Sequence, residues 1–169
     1  ILKFYIPLAL TGLIMLMVDP IASAGLSRMP DPIQSLAVWP VAGGVLFLLR
    51  SPGLAWNEVV ISLMDAPGSL KVLRRLMITI TLSVTAAFLL ILVTPLAHLW
   101  LAYVTALPTG LVPLAKTALW LAFILPGLTV VRHWFQGIIV HSQRTRGVTE
   151  AVTISLVTYA GLLVLGVAW

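Results

Sequence analysis

Long apolar segments alternate with short polar ones along the whole chain. Each apolar segment reaches the roughly 20 residues that a helix needs to cross a hydrocarbon layer of about 30 Å. Five segments qualify, and they cover residues 4–26, 33–64, 76–101, 114–140 and 148–169. The pattern predicts an all-α, polytopic membrane helix bundle of about five transmembrane helices.

Prolines inside the second and fourth segments predict kinks. We expect Ile33 to Met64 to form one long helix, kinked at Pro52, whose lower part leaves the bilayer. The alternative is a span that ends at Arg50 and is followed by a helix lying along the interface. In the fourth segment, Pro126 and Gly127 predict a kink at mid-depth.

Composition supports a membrane location. Of 169 residues, 60% are apolar and 9% are charged, against about 25% charged in an average soluble domain. The net charge of +5 does not come from a basic, aromatic face, so a nucleic-acid partner is not expected. The chain has no cysteine, which excludes disulfides and thiolate metal sites. The lipid bilayer is therefore the expected partner.

Basic residues predict the orientation of the helices. With a cytoplasmic N-terminus, six bases in the polar segments fall on the cytoplasmic side and two fall opposite, as the positive-inside rule requires. The six are Lys3, Lys71, Arg74, Arg75, Arg144 and Arg146, and the two are Arg28 and Lys116. We expect an inner membrane protein of a bacterium. The lack of an initiator Met and the end of the chain within a span suggest a piece of a longer protein.

Asp19 is the main candidate for a functional residue, because a charge inside the bilayer costs about 2.5 to 3.5 kcal/mol even on insertion scales. The following Pro20 lacks a backbone N–H and should disturb the helix one turn earlier, around Leu16. A carboxylate beside a loosened backbone is a candidate site for a cation or a proton. The alternatives are an ion pair with an intramembrane arginine, or a hydrated position near the outer interface.

A second group of polar residues lies on the fourth segment. Arg132 and Gln136 are spaced i, i+4, and Thr129 lies one turn earlier, so the three should form a polar stripe on one helix face. His133 is expected to point elsewhere, about 100° round the helix.

The second segment adds three candidates. Arg50 and Asn57 are seven residues apart and lie on nearly the same face, and Glu58 follows directly. Glu58 could pair with Arg50 or titrate in a cytoplasmic vestibule. Arg132, Gln136, Arg50, Asn57, Glu58 and Thr129 together are the predicted lining of a substrate cavity.

No catalytic motif is present. The sequence lacks HExxH, GxSxG and a glycine-rich phosphate loop. The serine and histidine residues lie on separate segments, so no nucleophile and base are placed together by the sequence. We therefore expect neither an enzyme, nor a metal site, nor a cofactor beyond a coupling Na⁺ or H⁺.

Two stretches resemble one transporter family. The first segment, "IPLALTGLIMLMVDPIASAGLS", is similar to the opening helix of the multidrug and toxic compound extrusion (MATE) transporters and their relatives. The stretch "LPGLTVVRHWFQGIIVHSQRTRGVTE" resembles the "P…QG…R…T" pattern of that family, with Pro126, Gln136, Gly137 and Arg144 in matching places. Together with "SPGLAWNEVV", it is similar to the progressive ankylosis (ANK) group of pyrophosphate or anion exporters.

The resemblance implies most of one N-terminal lobe of a two-lobe protein, residues 1–169, with a missing C-terminal lobe as its partner. It implies ion-coupled export of a small solute by alternating access, with Asp19 as the site of Na⁺ or H⁺. One departure puts the coupling in doubt. The family adds Asn or Asp from the fifth span, whereas this chain offers only the residues Glu150, Thr153, Ser155 and Thr158. The arginines favour an anionic solute instead.

Two other functions stay open at this point. A lipid-linked precursor flippase of the same superfamily would have further spans and a more cationic cavity. A non-transporting membrane scaffold would pair Asp19 directly with Arg132 and leave no cavity.

Overall fold

The computed structural model describes residues 9, 12–14, 16–142 and 145–168, and within these ranges every regular element is a helix. This confirms the predicted all-α class. The α-helices of these ranges are α1 (Val18–Leu26), α2 (Pro32–Leu63), α3 (Ser69–Val93), α4 (Leu96–Leu99), α5 (Val112–Leu121), α6 (Leu125–His141) and α7 (Thr145–Ala168). A π-helical turn covers Trp100–Val104, and a 3₁₀ turn covers Thr109–Leu111.

Among the described residues, four segments are helical, long and apolar enough to cross a membrane. These are Pro32–Leu63, Ser69–Val93, Thr109–His141 and Thr149–Val167. The segment Gly12–Leu26 is a shorter apolar helix. The chain is therefore an integral membrane protein.

The first predicted segment, residues 4–26, lies partly outside the described residues. Its described part has a turn at Met17, whose backbone N–H donates to Ile14 O at 3.1 Å, and α1 begins one residue later. Pro20 is the third residue of α1, where its missing N–H leaves no helical hydrogen bond unmade. The turn at Met17 lies next to the position where Pro20 was expected to disturb the helix.

The second segment forms one continuous helix. α2 has 32 residues, with Pro40 and Pro52 inside it, and so is about 48 Å long at 1.5 Å per residue. This exceeds a hydrocarbon layer of about 30 Å, so one end of α2 extends beyond that layer. The helix continues past Arg50. The alternative interpretation, in which the span ends at Arg50, is therefore wrong.

The third segment differs from its prediction at both ends. The helix begins at Ser69, directly after Gly68 in the left-handed conformation (φ 76°), so the stretch from Ser69 to Arg75 is helical rather than a polar loop. It ends at Val93 and does not reach Leu101. Thr94 is extended because the following Pro95 disfavours the helical conformation of the residue before it.

The fourth segment is broken rather than kinked. α5 ends at Leu121 and α6 begins at Leu125, with a turn over residues 122–124. The Leu125 N–H donates to Ala122 O at 2.9 Å, so this bond reaches three residues back instead of the four of an α-helix. Pro126 has no N–H to bond four residues back, so the break lies in the turn before the proline.

The chain divides into two compact units. The first contains residues 1–36 and 139–169, and the second contains residues 37–138. In the first unit, Gly25 lies against the side chain of Leu163, and the Met29 side chain approaches Gly166. α1 therefore packs against α7 within this unit.

The second unit has two apolar clusters at different levels along α2. The first joins the α2 residues Val38 and Ala42 to the end of α3, to α4 and to α5, with Phe88 and Leu101 fully buried. The second contains Trp56, Val60, Leu73, Val130 and Trp134, from α2, α3 and α6. Arg50 lies between the α2 residues of the two clusters.

Glycines allow α6 to approach its neighbours closely in the second unit. A Cβ at Gly137 would lie 2.7 Å from Val60 Cγ1, and one at Gly53 would lie 3.0 Å from the Val130 backbone nitrogen. A Cβ at Gly127 would collide with Thr85 Oγ1 and lie 3.3 Å from Thr81 Cγ2. The threonines of α3 thus serve helix packing, as small residues do between membrane helices.

We expect Gly137→Ala to destabilise the protein. The methyl group must displace Val60, and the repacking cost of about 1 to 3 kcal/mol exceeds the helix gain of about 0.5 to 1 kcal/mol from replacing glycine. Thermal unfolding in detergent measures the change. Gly43→Ala is the matched control, because nothing lies within 4 Å of the added methyl group. An equal or higher Tm for Gly137→Ala than for Gly43→Ala would contradict the close contact.

Candidate functional site

A hydrogen-bonded connection between α2 and α6 links two of the predicted site residues. Arg50 Nε donates to Thr129 Oγ1 at 2.9 Å, and Thr129 Oγ1 donates to Leu125 O at 2.9 Å. Leu125 is the first residue of α6 after the break. The half-buried Arg50 is therefore attached to the first turn of a helix that begins inside the fourth apolar segment.

His133 lies on the same face of α6 as Thr129 and points away from Arg132, because His133 is buried and Arg132 is exposed. Arg50, Thr129 and His133 form the arginine cluster. Its Nδ1 lies 2.8 Å from Thr129 O, and since a carbonyl oxygen only accepts, Nδ1 is the donor. Thr129 and His133 are both buried. The spacing i, i+4 places them on adjacent turns of one face, a signal that was present in the sequence.

Arg132 lies at the edge of the cluster. Its side chain is exposed, whereas Thr129 is buried, so these two residues differ in environment along the predicted stripe. Gln136, one turn later, is half-buried. The positive charge of Arg132 acts on Arg50, and both charges act on His133.

No carboxylate pairs with Arg50 in the part of the chain that the structure describes. Among those residues, the charge that acts on Arg50 is the positive one of Arg132. Glu58, the partner considered from the sequence, is exposed, and its Oε1 accepts from Asn57 Nδ2 at 3.4 Å. The structure therefore pairs Glu58 with Asn57 and attaches Arg50 to Thr129.

Two further polar groups lie along α2 beyond Arg50. Trp56 Nε1 and Asn57 Oδ1 are buried and have no hydrogen-bond partner among the described residues. Trp56 stacks on Trp134 of α6, with ring centroids 6.5 Å apart and an interplanar angle of 20°. A buried polar atom left unpaired costs about 1 to 3 kcal/mol, so each of these atoms can bind water or a polar solute.

The depth of the cluster follows from the helix rise. Arg50 lies 18 residues after Pro32, the start of α2, which is about 27 Å along the axis. If the hydrocarbon layer begins near Pro32, Arg50 lies close to its far edge, which is the cytoplasmic side in the predicted orientation. A long cationic side chain there can extend toward water.

Asp19 lies in the first unit, on α1, and its side chain is exposed. Its negative charge acts on the half-buried Tyr159 of α7. Tyr159 could not be selected from the sequence, because a single tyrosine in an apolar helix is not distinctive. Asp19 and the arginines belong to different units, so an ion pair between them stays a prediction.

Comparisons with known proteins add no relative. No family model, no curated protein and no solved structure matches the chain. No group of three or more metal-ligating side chains occurs among the residues that the structure describes. The resemblance to the MATE transporters accordingly stays a prediction.

We expect Thr129→Val to destabilise the protein by about 1 to 2 kcal/mol, because a hydrogen bond to a charged group is lost and the Arg50 Nε–H is left unpaired. Thermal unfolding in detergent measures this loss. Thr117→Val is the matched control, since Thr117 Oγ1 bonds only within its own helix, to Pro113 O at 3.0 Å. Equal changes in Tm for the two variants would contradict a stabilising contact between α2 and α6.

Proposed function

We propose that the chain is part of a secondary active transporter that exports a small anionic solute by ion-coupled alternating access. The observation that carries the proposal is the half-buried Arg50 of α2, whose Nε donates to Thr129 Oγ1 of α6 at 2.9 Å and which has no carboxylate partner among the described residues. The exposed Arg132 lies three residues after Thr129 on the same helix. Charged residues within membrane segments are costly and usually line substrate or ion pathways.

The charge balance of the site favours an anion. Arg50 and Arg132 carry like charges. A bound anion would offset both of them, and guanidinium groups bind phosphate and carboxylate through paired hydrogen bonds.

The break in the fourth segment fits this proposal. Transporters commonly bind solutes at discontinuous membrane helices, where the N-terminal end of a half-helix points at an anionic group. Here the half-helix is α6, and Arg50 is attached to Thr129 one turn from its start. A change in the angle between α5 and α6 would move Thr129 and therefore Arg50, which couples solute binding to helix movement.

Asp19 is proposed as the site of the coupling Na⁺ or H⁺. It is the acidic residue of α1, and its negative charge acts on Tyr159 of the neighbouring helix α7. Binding a cation or a proton would neutralise the carboxylate. A change in the packing of α1 on α7 is then the conformational step that the ion controls.

We expect Arg50→Gln to lower anion transport about tenfold, because one of the two guanidinium groups is lost. Efflux of radiolabelled inorganic phosphate and of pyrophosphate from vesicles that contain the protein measures the rate. Arg50→Lys keeps the charge and should retain part of the activity. Arg28→Gln, an exposed arginine between α1 and α2, is the matched control and should leave the rate unchanged. Equal rates for Arg50→Gln and the wild type would contradict the anion site.

Asp19→Asn should abolish the dependence of transport on ion gradients, because an amide neither binds a proton nor attracts Na⁺ as a carboxylate does. The same vesicles, tested under opposed Na⁺ and H⁺ gradients, give the measurement. Asp31→Asn removes an exposed carboxylate next to Pro32 and serves as the control. Transport at the normal rate under every gradient by Asp19→Asn would exclude the coupling role of Asp19.

A further inference from the structure

The arginine cluster contains a buried titratable group that the proposed function does not use. This group is His133 of α6. Its Nδ1 donates to Thr129 O at 2.8 Å, and Thr129 Oγ1 accepts from Arg50 Nε at 2.9 Å. The imidazole and the guanidinium group are therefore hydrogen-bonded to the same residue, one to its carbonyl oxygen and the other to its hydroxyl oxygen.

The hydrogen bond to Thr129 determines which nitrogen of the ring titrates. Nδ1 keeps its proton in order to donate to the carbonyl oxygen, so Nε2 is the nitrogen that gains or loses a proton. Among the described residues, the hydrogen bond of the His133 side chain is the one that Nδ1 makes. A neutral His133 therefore has a free lone pair on Nε2, and a protonated His133 has a positive charge and a second N–H.

The charges that act on His133 within the described part of the chain are both positive. They belong to Arg50 of α2 and Arg132 of α6 itself. Glu58, the acidic residue of α2, is exposed and is not one of the groups that act on the imidazole. The same holds for the charged residues of α3 and α5, which are Lys71, Arg74, Arg75 and Lys116.

An anion bound at this cluster would favour a proton on His133. An imidazolium there adds a third positive charge to those of Arg50 and Arg132, and among the described residues no carboxylate offsets them. A bound anion supplies the missing negative charge and so lowers the cost of protonation. Because linkage is reciprocal, the proton strengthens anion binding by the same factor.

We infer that the anion site takes up one proton together with its anion, and that His133 Nε2 holds this proton. The inference rests on the proposed function, since the anion is the solute assigned to Arg50 and Arg132. The affinity for the anion should accordingly rise as the pH falls. This proton is distinct from the coupling ion proposed at Asp19, which belongs to the other unit.

Isothermal titration calorimetry of the purified protein with inorganic pyrophosphate tests the inference between about pH 5 and 8, where histidine side chains titrate. Titrations in imidazole and in bis-Tris buffer, which have different heats of ionisation, count the protons taken up per pyrophosphate bound. His133→Asn is the test variant, because its amide can still donate to Thr129 O and does not titrate. Protons that pyrophosphate itself gains or loses cancel when the variant is compared with the wild type.

The wild type should take up about half a proton more per pyrophosphate than His133→Asn at the pH where the two differ most. Its affinity should fall about tenfold relative to that of the variant as the pH rises through this range. A role of His133 in packing alone would instead change the affinity by the same factor at every pH. His98→Asn removes an exposed histidine of α4 and is the matched control, which should behave as the wild type does.

Two further variants separate the possible outcomes. His133→Gln replaces His133→Asn if the latter does not fold, as judged by circular dichroism. Asp19→Asn should take up as many protons as the wild type. A loss of proton uptake in Asp19→Asn but not in the His133 variant would place the proton at Asp19 and overturn the inference.

Pyrophosphate binding with equal proton uptake by the wild type and the His133 variant would also overturn the inference, and it would leave the proposed anion site intact. Absence of pyrophosphate binding to the wild type would contradict the proposed function and the inference together.

Discussion

The close approach of α2 and α6 at Gly53 and Gly137 is the contact on which the candidate site depends. With a Cβ at either glycine, Val60 or the Val130 backbone would have to shift. At this separation Arg50 Nε reaches Thr129 Oγ1 at 2.9 Å, and Trp56 stacks on Trp134. A wider separation would break the hydrogen bond first, since its length tolerates only a few tenths of an ångström. The position of Arg50 beside Thr129 therefore depends on two glycines, which have no side chain that could bind a ligand.

The all-α membrane class could be predicted from the apolar segments because their lengths match a hydrocarbon layer. Apolar segments of this length are typical of transmembrane helices. The ends of the third and fourth helices could not be predicted as well. Thr94 and Pro95 end α3 by a local backbone restriction that hydropathy does not register. At Pro126 the missing backbone N–H separates α5 from α6, where the sequence suggested only a kink. In both cases the signal was a proline within an apolar segment.

The candidate site was predictable where spacing along one helix decides the neighbours. The i, i+4 pair Thr129 and His133 is of this type, although the sequence interpretation used Arg132 and Gln136 instead. The contact between Arg50 and Thr129 joins residues 79 positions apart, so it depends on how two helices pack and cannot be read from periodicity. The predicted role of Glu58 shows the same limit, because its neighbour Asn57 takes the contact that was considered for Arg50.

Binding of inorganic pyrophosphate to the purified protein, measured by isothermal titration calorimetry, tests the anion site most directly. The account predicts that the double variant Arg50→Gln/Arg132→Gln loses about a hundredfold in affinity, roughly tenfold for each guanidinium group. The control variant Arg74→Gln/Arg75→Gln, on the exposed beginning of α3, removes the same charge and should bind as the wild type does. Equal affinity losses in the two double variants would contradict a specific anion site between α2 and α6.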